Sequence, residues 1–160
     1  MIIRQAVIAD QPEIARVLTG VITHGGYTAL TLENMEAYVV SKLETYARDT
    51  SFMVAEDNGI IGFQYLTCYG GNASHVADIA TFSDITRRQS GIGRALMNAT
   101  QERCLQVGYR KITARIRGDN DNGLPFYEKM GFRRVGVFEK HSLIEGKYVD
   151  QVLMEKHLKG

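Results

Sequence analysis

The sequence predicts a mixed α/β domain in which helices pack around one central sheet. Two observations lead to this fold class. Strand-like and helix-like apolar patterns follow one another in the order strand, two helices, three strands, helix, strand, helix, two strands. The length of 160 residues fits one domain, residues 1–160, with a sizeable core. Because strands and helices do not alternate regularly, a doubly wound dinucleotide-binding fold fits poorly.

The N-terminal third is predicted to form one strand and two helices. Residues 1–7 form the strand. Asp10 is a suitable helix-capping residue, and a proline falls in the first turn of the helix that follows. Gly25-Gly26 ends that helix. Thr31 is predicted to cap a second helix that runs to about residue 48.

Three strands and a long helix are predicted for the middle of the chain. Residues 51–56 and 60–68 form a hairpin, because the Asp-Asn-Gly sequence at 57–59 accepts positive φ angles. Residues 75–83 form a third strand and residues 91–107 a long helix. The stretch between them is basic and rich in glycine.

The C-terminal third is predicted to complete the sheet. Residues 111–117 form a strand and residues 122–130 a short helix, which Gly131 ends as its C-cap. Residues 132–140 and 147–155 form the last two strands around a loop.

Composition and charge argue against several classes of function. Lysine and arginine number 19 and aspartate and glutamate 18, so the net charge of +1 gives no electrostatic argument for nucleic-acid binding. No apolar run approaches the roughly 20 residues of a membrane helix, and no signal peptide is evident. Cys68 and Cys104 are expected to be free thiols, since neither belongs to a CxxC pair or a metal-binding pattern. A cytoplasmic protein that needs no metal is expected.

The segment Arg87–Leu96 (RRQSGIGRAL) is the most informative part of the sequence. Gly91 and Gly93 allow a tight turn and a close approach of backbone to ligand. The start of the following helix offers unpaired N–H groups that can bind a phosphate, and the arginines add charge. An ordinary glycine-rich helix start would look the same. The P-loop lysine is absent, and Leu96 is too large for a dinucleotide fingerprint.

A second segment, Gly118–Phe132 (GDNDNGLPFYEKMGF), completes the pattern. The RxxGxG sequence that starts at Arg88, Asn120 and the run Phe126–Phe132 together closely resemble the GNAT family, the Gcn5-related N-acetyltransferases. The resemblance covers essentially the whole chain. It implies the GNAT acyl-CoA N-acyltransferase fold, in which a central mixed, mostly antiparallel sheet is flanked by helices.

The resemblance also implies acetyl-CoA as the donor substrate. It assigns the pyrophosphate to main-chain N–H groups of a phosphate loop, which consists of Arg88, Gln89, Ser90, Gly91, Ile92, Gly93 and Arg94. Further contacts with the donor are implied for Thr81, Phe82, Ser83, Asn120 and Tyr127. A backbone N–H near Thr81 or Phe82 would stabilise the oxyanion that forms during transfer.

Within the family, the chain looks most like the phosphinothricin acetyltransferase-like branch, through Gly118–Asn120 and residues 146–150. Asp78 falls where that branch carries a glutamate, which makes it the first candidate for the base that takes the proton of the amine. His75 is the alternative, and a base acting through water stays open. Tyr127 matches the tyrosine that gives a proton to the leaving thiolate of coenzyme A.

The resemblance places the acceptor pocket between the first two helices and the late loops. Tyr27, Tyr69 and Tyr148 are the candidate aromatic walls of this pocket, with His75 nearby. Family members are often dimers, so a homodimer is one expectation for this chain.

Three functions fit these residues. The leading one is an N-acetyltransferase that acts on the primary amine of a small molecule by direct attack through a tetrahedral intermediate. A protein acetyltransferase acting on an N-terminus or a lysine would need an open groove for an extended peptide. A non-catalytic acyl-CoA-binding module would keep the phosphate loop but lack a usable acid or base.

Overall fold

The structure is a computed structural model that describes residues 1–49, 51–87 and 89–160. Within these residues, the elements follow the predicted order. They are β1 (Ile2–Gln5), α1 (Gln11–His24), α2 (Met35–Asp49), β2 (Phe52–Glu56), β3 (Ile60–Cys68), β4 (Val76–Ser83), α3 (Ile92–Val107), β5 (Lys111–Arg117), α4 (Gly123–Lys129), β6 (Arg133–Ile144) and β7 (Lys147–His157). Single turns of 3-10 helix lie at Ile8–Asp10 and Gly71–Ala73.

The seven strands form one sheet in the order β1-β2-β3-β4-β5-β7-β6. Among these strands, only β4 and β5 run parallel, and every other neighbouring pair is antiparallel. The helix α3 provides the crossover that a parallel pair requires. The prediction of a mixed, mostly antiparallel sheet is therefore confirmed.

Helices cover both faces of this sheet. On one face, Leu18 of α1 packs in the same cluster as Phe63 of β3. On the other face, Met97 of α3 packs in the same cluster as Leu66 of β3. Successive side chains of a strand point to opposite faces, so one strand contributes to both cores.

The strands β4 and β5 pair over only part of their length. Their ladder ends at the pair Ile79 and Ala114, whereas β4 continues to Ser83 and β5 to Arg117. Beyond the ladder the two strands separate and leave an opening in the middle of the sheet. The candidate site lies at this opening.

The start of α2 and the capping of α1 differ from the sequence prediction. The helix α2 begins at Met35 and not at Thr31, because Asn34 has a φ of +56° that does not fit a right-handed helix. Asp10 precedes α1, but its carboxylate accepts hydrogen bonds from Arg4 and from the N–H of Val7 and does not cap the helix. The hydrogen bond from Arg4 lowers the pKa of Asp10.

The last two strands form a hairpin longer than predicted. The strand β7 pairs with β5 only from Gln151 onward, so the tip of the hairpin extends beyond that part of the sheet. Leu143 and Tyr148 face each other near this tip and are 64% and 66% exposed.

Several predicted features concern membranes, metals and thiols. No helix in the described part of the chain is long and apolar enough to cross a membrane. The same residues contain no group of three or more His, Cys, Asp or Glu side chains arranged to hold a metal ion. Cys68 is exposed and Cys104 is buried, and both are free thiols as predicted. Burial raises the pKa of the Cys104 thiol to about 12, which makes it unreactive.

Candidate active site

The opening between β4 and β5 widens into a cavity of about 690 Å³. Sites for small molecules and cofactors typically have roughly 300–1,000 Å³. The wall of the cavity includes the start of α3, the ends of β4 and β5, the start of α4 and the loop between α1 and α2. The cavity is therefore reached by elements from both faces of the sheet.

The N-terminus of α3 forms one part of the cavity wall. Gly91 has a φ of +91°, which glycine adopts without strain, and it directly precedes the first helical residue, Ile92. Among the residues that the structure describes, no side chain caps this helix. Within the described residues, the N–H groups of Ile92, Gly93 and Arg94 take part in no backbone hydrogen bond. These groups and the positive end of the helix dipole provide a site for an anion.

Gly93 brings α3 and α4 close together. A Cβ atom at this position would lie 2.6 Å from Cε2 of Phe126. A side chain there would therefore push apart two helices that both contribute to the cavity wall.

The residues before the phosphate loop are anchored to the rest of the domain. Arg87 donates hydrogen bonds to two carbonyls of the turn at 57–59, so its charge serves the β2–β3 hairpin. Asp84 is buried and accepts hydrogen bonds from Arg16 at 2.6 Å and from the N–H and hydroxyl of Thr86. Burial alone would raise the pKa of Asp84, but these hydrogen bonds outweigh it and lower the pKa to about 2.

Tyr127 is a buried residue of α4. Its ring packs edge-on against Phe126 and Phe132, with 5.1 Å between ring centroids in each pair. Its hydroxyl oxygen lies 2.9 Å from Oγ1 of Thr81 on β4. Burial raises the pKa of Tyr127 and outweighs the opposite effect of Thr81. Tyr127 therefore stays protonated at neutral pH and can donate a hydrogen bond to a bound molecule.

Asp78 points to the opposite face of β4 from Thr81, because the two are three positions apart in one strand. Its Oδ1 accepts a hydrogen bond from the hydroxyl of Thr113 at 2.8 Å. Its Oδ2 accepts from Nη2 and Nε of Arg115, at 2.9 and 3.2 Å. The carboxylate thus belongs to a charged cluster on the cavity wall.

Aromatic and basic side chains line the cavity on the side of α1 and α2. Tyr38 of α2 and Tyr65 of β3 share a hydrogen bond between their hydroxyls. The ammonium of Lys42 lies 5.3 Å from the ring centroid of Tyr38 and 5.5 Å from that of Tyr65. These are cation–π distances, so the two aromatic rings favour a position of the Lys42 ammonium beside the cavity.

The loop between α1 and α2 is fixed across this side of the cavity. The carbonyl of Thr28 accepts a hydrogen bond from Arg117 at 3.0 Å, and the carbonyl of Tyr27 accepts one from Asn120 at 3.2 Å. The Oδ1 of Asn120 also accepts a hydrogen bond from the N–H of Gly123 at 2.8 Å. The loop is thereby tied to β5 and to the start of α4.

Residues 18–153 match the family described as acetyltransferase (GNAT) domain. The chain belongs to the GNAT acetyltransferase family. It is therefore an acyltransferase of class EC 2.3.1.-. The Bacillus subtilis (strain 168) protein named "Putative phosphinothricin acetyltransferase YwnH" is 30% identical over 109 residues, which are 66% of this chain and 67% of that protein.

Solved GNAT structures share the fold over nearly the whole chain. The phosphinothricin acetyltransferase (Pat) of Sinorhizobium meliloti, crystallised with AcCoA, has a TM-score of 0.89 and 23% identity over 98% of this chain and 88% of that one. The ribosomal-protein-alanine N-acetyltransferase of Brucella melitensis also has a TM-score of 0.89, with 22% identity over 99% of this chain and 100% of that one. Equal similarity to both means that the fold alone does not decide the acceptor of this acetyltransferase.

Most residues predicted for the site of this GNAT acetyltransferase line the cavity. They are Tyr27, Asp78, Thr81, Phe82, Ser83, Gln89, Gly91, Ile92, Gly93, Asn120 and Tyr127. Ser90 and Arg94 are exposed on the same loop and at the start of α3. Arg88 lies outside the described residues.

Three residues predicted for the acceptor side lie elsewhere. His75 is exposed before the start of β4, about 10 Å along the strand from Asp78 at the usual rise per residue. Tyr148 is near the tip of the β6–β7 hairpin. Tyr69 is 54% exposed, and its hydroxyl oxygen lies 3.0 Å from that of Thr113 in the Asp78 cluster.

Several cavity residues of this acetyltransferase were not predicted from the sequence. They are Tyr38, Lys42, Tyr65, Arg115 and Arg117. Some signals were available, because Tyr38 and Lys42 are four positions apart on one helix face and the two arginines alternate along one strand. A lone glutamine at position 64, within an apolar strand, was a further signal.

Proposed function

We propose that this acetyltransferase transfers the acetyl group of acetyl-CoA directly to the primary amine of a small molecule. One observation carries the proposal. A single cavity joins the start of α3 to the loop between α1 and α2, and both Tyr127 and Asp78 lie on its wall.

The phosphate loop supports binding of the donor pyrophosphate. The N–H groups of residues 92–94 are not used by backbone partners among the described residues. Apart from its two chain neighbours, no described residue has an atom within 4 Å of the position that a Cβ atom would take at Gly91, so a phosphate can approach the backbone there. Residues 81–83 continue β4 beyond its ladder with β5, which leaves polar backbone groups for the amides of the pantetheine arm.

The acceptor side supports a small molecule that carries an anionic group besides its amine. Lys42 places a positive charge on the cavity wall, whereas the charges of Arg115 and Asp78 on that wall are paired with each other. The fixed loop through Tyr27 and Thr28 covers the region where an extended peptide would need an open groove. The 30% identical relative is named for phosphinothricin acetyltransferase, which agrees with a small acceptor.

The mechanism needs an uncharged amine. A primary amine has a pKa near 10.4, so freeing it at pH 7 costs about 5 kcal/mol. In this proposal, Asp78 attracts the ammonium and receives its proton, directly or through water. Tyr127 donates its hydrogen bond to the sulfur as the thiolate of coenzyme A leaves, and a backbone N–H at Thr81 or Phe82 stabilises the oxyanion.

A thiol-release assay with acetyl-CoA and a panel of acceptors tests the proposal. Amines that also carry a carboxylate should turn over faster than plain alkylamines and faster than peptides. Turnover on peptides alone would support the protein acetyltransferase. Tight binding of acetyl-CoA in calorimetry without turnover on any acceptor would support the non-catalytic module.

A further variant tests the acceptor side separately from the donor side. Lys42→Gln should raise the KM of a carboxylate-bearing amine and leave the KM of acetyl-CoA unchanged. Lys129→Gln, the same change on an exposed residue of α4, is the matched control.

A further inference from the structure

Gln64 is a polar residue in the middle of a buried strand. It lies on β3 directly opposite Thr81 of β4, and its exposed fraction is 0%. Its Nε2 donates a hydrogen bond to Oγ1 of Thr81 at 2.7 Å. Its Oε1 has no hydrogen-bond partner among the described residues. Burying an amide that is only half satisfied costs free energy, so its presence in this core requires an explanation.

The side chains of Gln64, Thr81 and Tyr127 form a chain of hydrogen bonds. The Oγ1 of Thr81 lies 2.7 Å from Nε2 of Gln64 and 2.9 Å from the hydroxyl oxygen of Tyr127. A threonine hydroxyl has one proton and two lone pairs. Because Gln64 donates to this oxygen and does not accept from it, the proton of Thr81 is available for the oxygen of Tyr127. The proton of Tyr127 is then directed into the cavity, whose wall includes Tyr127.

The opposite direction of these hydrogen bonds would not leave a tyrosine proton for the cavity. If the amide of Gln64 were turned, its oxygen would accept the proton of Thr81, and Tyr127 would have to donate to Thr81. No tyrosine proton would then be left for the cavity. The hydrogen bonds can therefore direct a tyrosine proton at the cavity only when the nitrogen of Gln64 faces Thr81.

We propose that Gln64 is a positioning residue that, through Thr81, keeps the hydroxyl proton of Tyr127 directed at the reacting sulfur. The C–S bond breaks with its electron pair on sulfur, the O–H of Tyr127 hydrogen-bonds that pair, and the proton of the amine leaves through Asp78 or water. The proposal rests on the proposed function, in which Tyr127 contacts the leaving thiolate. Gln64 itself is not part of the cavity wall, so its replacement should change kcat and not the binding of acetyl-CoA.

Two substitutions of Gln64 test this direction. Gln64→Met keeps the length of the side chain but removes the donor, and it should lower kcat about fivefold to tenfold, the rate equivalent of one neutral hydrogen bond. Gln64→Glu introduces a carboxylate that only accepts, so it should lower kcat as far as Tyr127→Phe does. The KM of acetyl-CoA should stay unchanged in both variants. Gln106→Glu, on the exposed face of α3, makes the same charge change away from the site and should keep wild-type kcat.

A double-mutant cycle separates positioning from packing. In the Tyr127→Phe background, Gln64→Met should change kcat by less than about twofold, because no tyrosine proton remains to be directed. An equal loss of kcat in both backgrounds would overturn the proposal, and so would full kcat for Gln64→Met in the wild-type background. The Met variant decides the matter if the Glu variant does not fold. Wild-type kcat for Tyr127→Phe would instead remove the proposed role of Tyr127, which is a distinct result.

Discussion

Replacing Asp84 with asparagine tests how much its buried hydrogen bonds contribute to folding. The side chain of Asp84 is 4% exposed, and the partner Arg16 is 48% exposed. The pKa of Asp84 falls from its ordinary 3.8 to about 2. At about 1.36 kcal/mol per pH unit, this lowering corresponds to about 2 kcal/mol of stability at pH 7. Asp84→Asn should therefore lower the free energy of unfolding by about 2 kcal/mol at pH 7.

The pH dependence gives this prediction a second test. Because the pKa of Asp84 is lowered in the folded state, the contribution is complete above pH 5 and is lost as pH falls through 3.8 towards 2. About half of it should be lost by pH 3. Urea unfolding of wild type and Asp84→Asn at pH 7 and pH 3 measures both values, with Asp121→Asn as an exposed control. A difference below about 0.5 kcal/mol at pH 7, or one that does not shrink at pH 3, would refute the reasoning.

Three further substitutions test the site and the assembly. Gly91→Val should raise the calorimetric Kd of acetyl-CoA about tenfold or more, because a β-branched residue is strained at this φ and blocks the approach of the phosphate to the backbone. The control is Gly108→Val, at the other end of α3 with a φ of +99°, which should leave this Kd unchanged. Asp78→Asn should lower kcat about a hundredfold if the carboxylate accepts the proton of the amine, and a loss below about threefold would remove it as the base. The strand β6 lies at the edge of the sheet, and its Val137 is 51% exposed. We therefore expect a homodimer in which the β6 edges of two copies pair. Val137→Lys should yield a monomer in light scattering, and a monomeric wild type would contradict this expectation.

The order of the elements could be predicted because turn residues mark their ends. Asn58 and Gly59 take positive φ angles in the β2–β3 turn, and Gly131 takes one after α4, as their residue types suggest. The predicted start of α2 was wrong for a related reason. Thr31 has the chemistry of a cap, but the left-handed Asn34 delays the helix until Met35. A capping residue in the sequence therefore permits a helix start without deciding where it occurs.

The donor and acceptor sides of the site differ in how far the sequence predicts them. The start of α3 is one contiguous segment, so its glycines and its helix start could be recognised together. The proposed acceptor side of the cavity combines Tyr38 and Lys42 from α2 with Tyr65 from β3 and Arg115 from β5. The registers of the sheet and the packing of α2 bring these residues together, and neither is encoded in a local pattern.

The state of the Tyr127 hydroxyl limits what it can do for the leaving group. A thiol has an ordinary pKa near 8.5 and a tyrosine one near 10, so full proton transfer from tyrosine to thiolate is uphill by about 2 kcal/mol. Burial raises the pKa of Tyr127 further. Tyr127 therefore contributes most by donating a hydrogen bond to the developing charge, and it should remain protonated throughout the usual assay range. The kcat profile of the wild type should show no decline attributable to Tyr127 below about pH 10. A decline between pH 8 and pH 10 that disappears in Tyr127→Phe would mean that the hydroxyl ionises in the working enzyme, and the hydrogen-bonding role would then have to be abandoned.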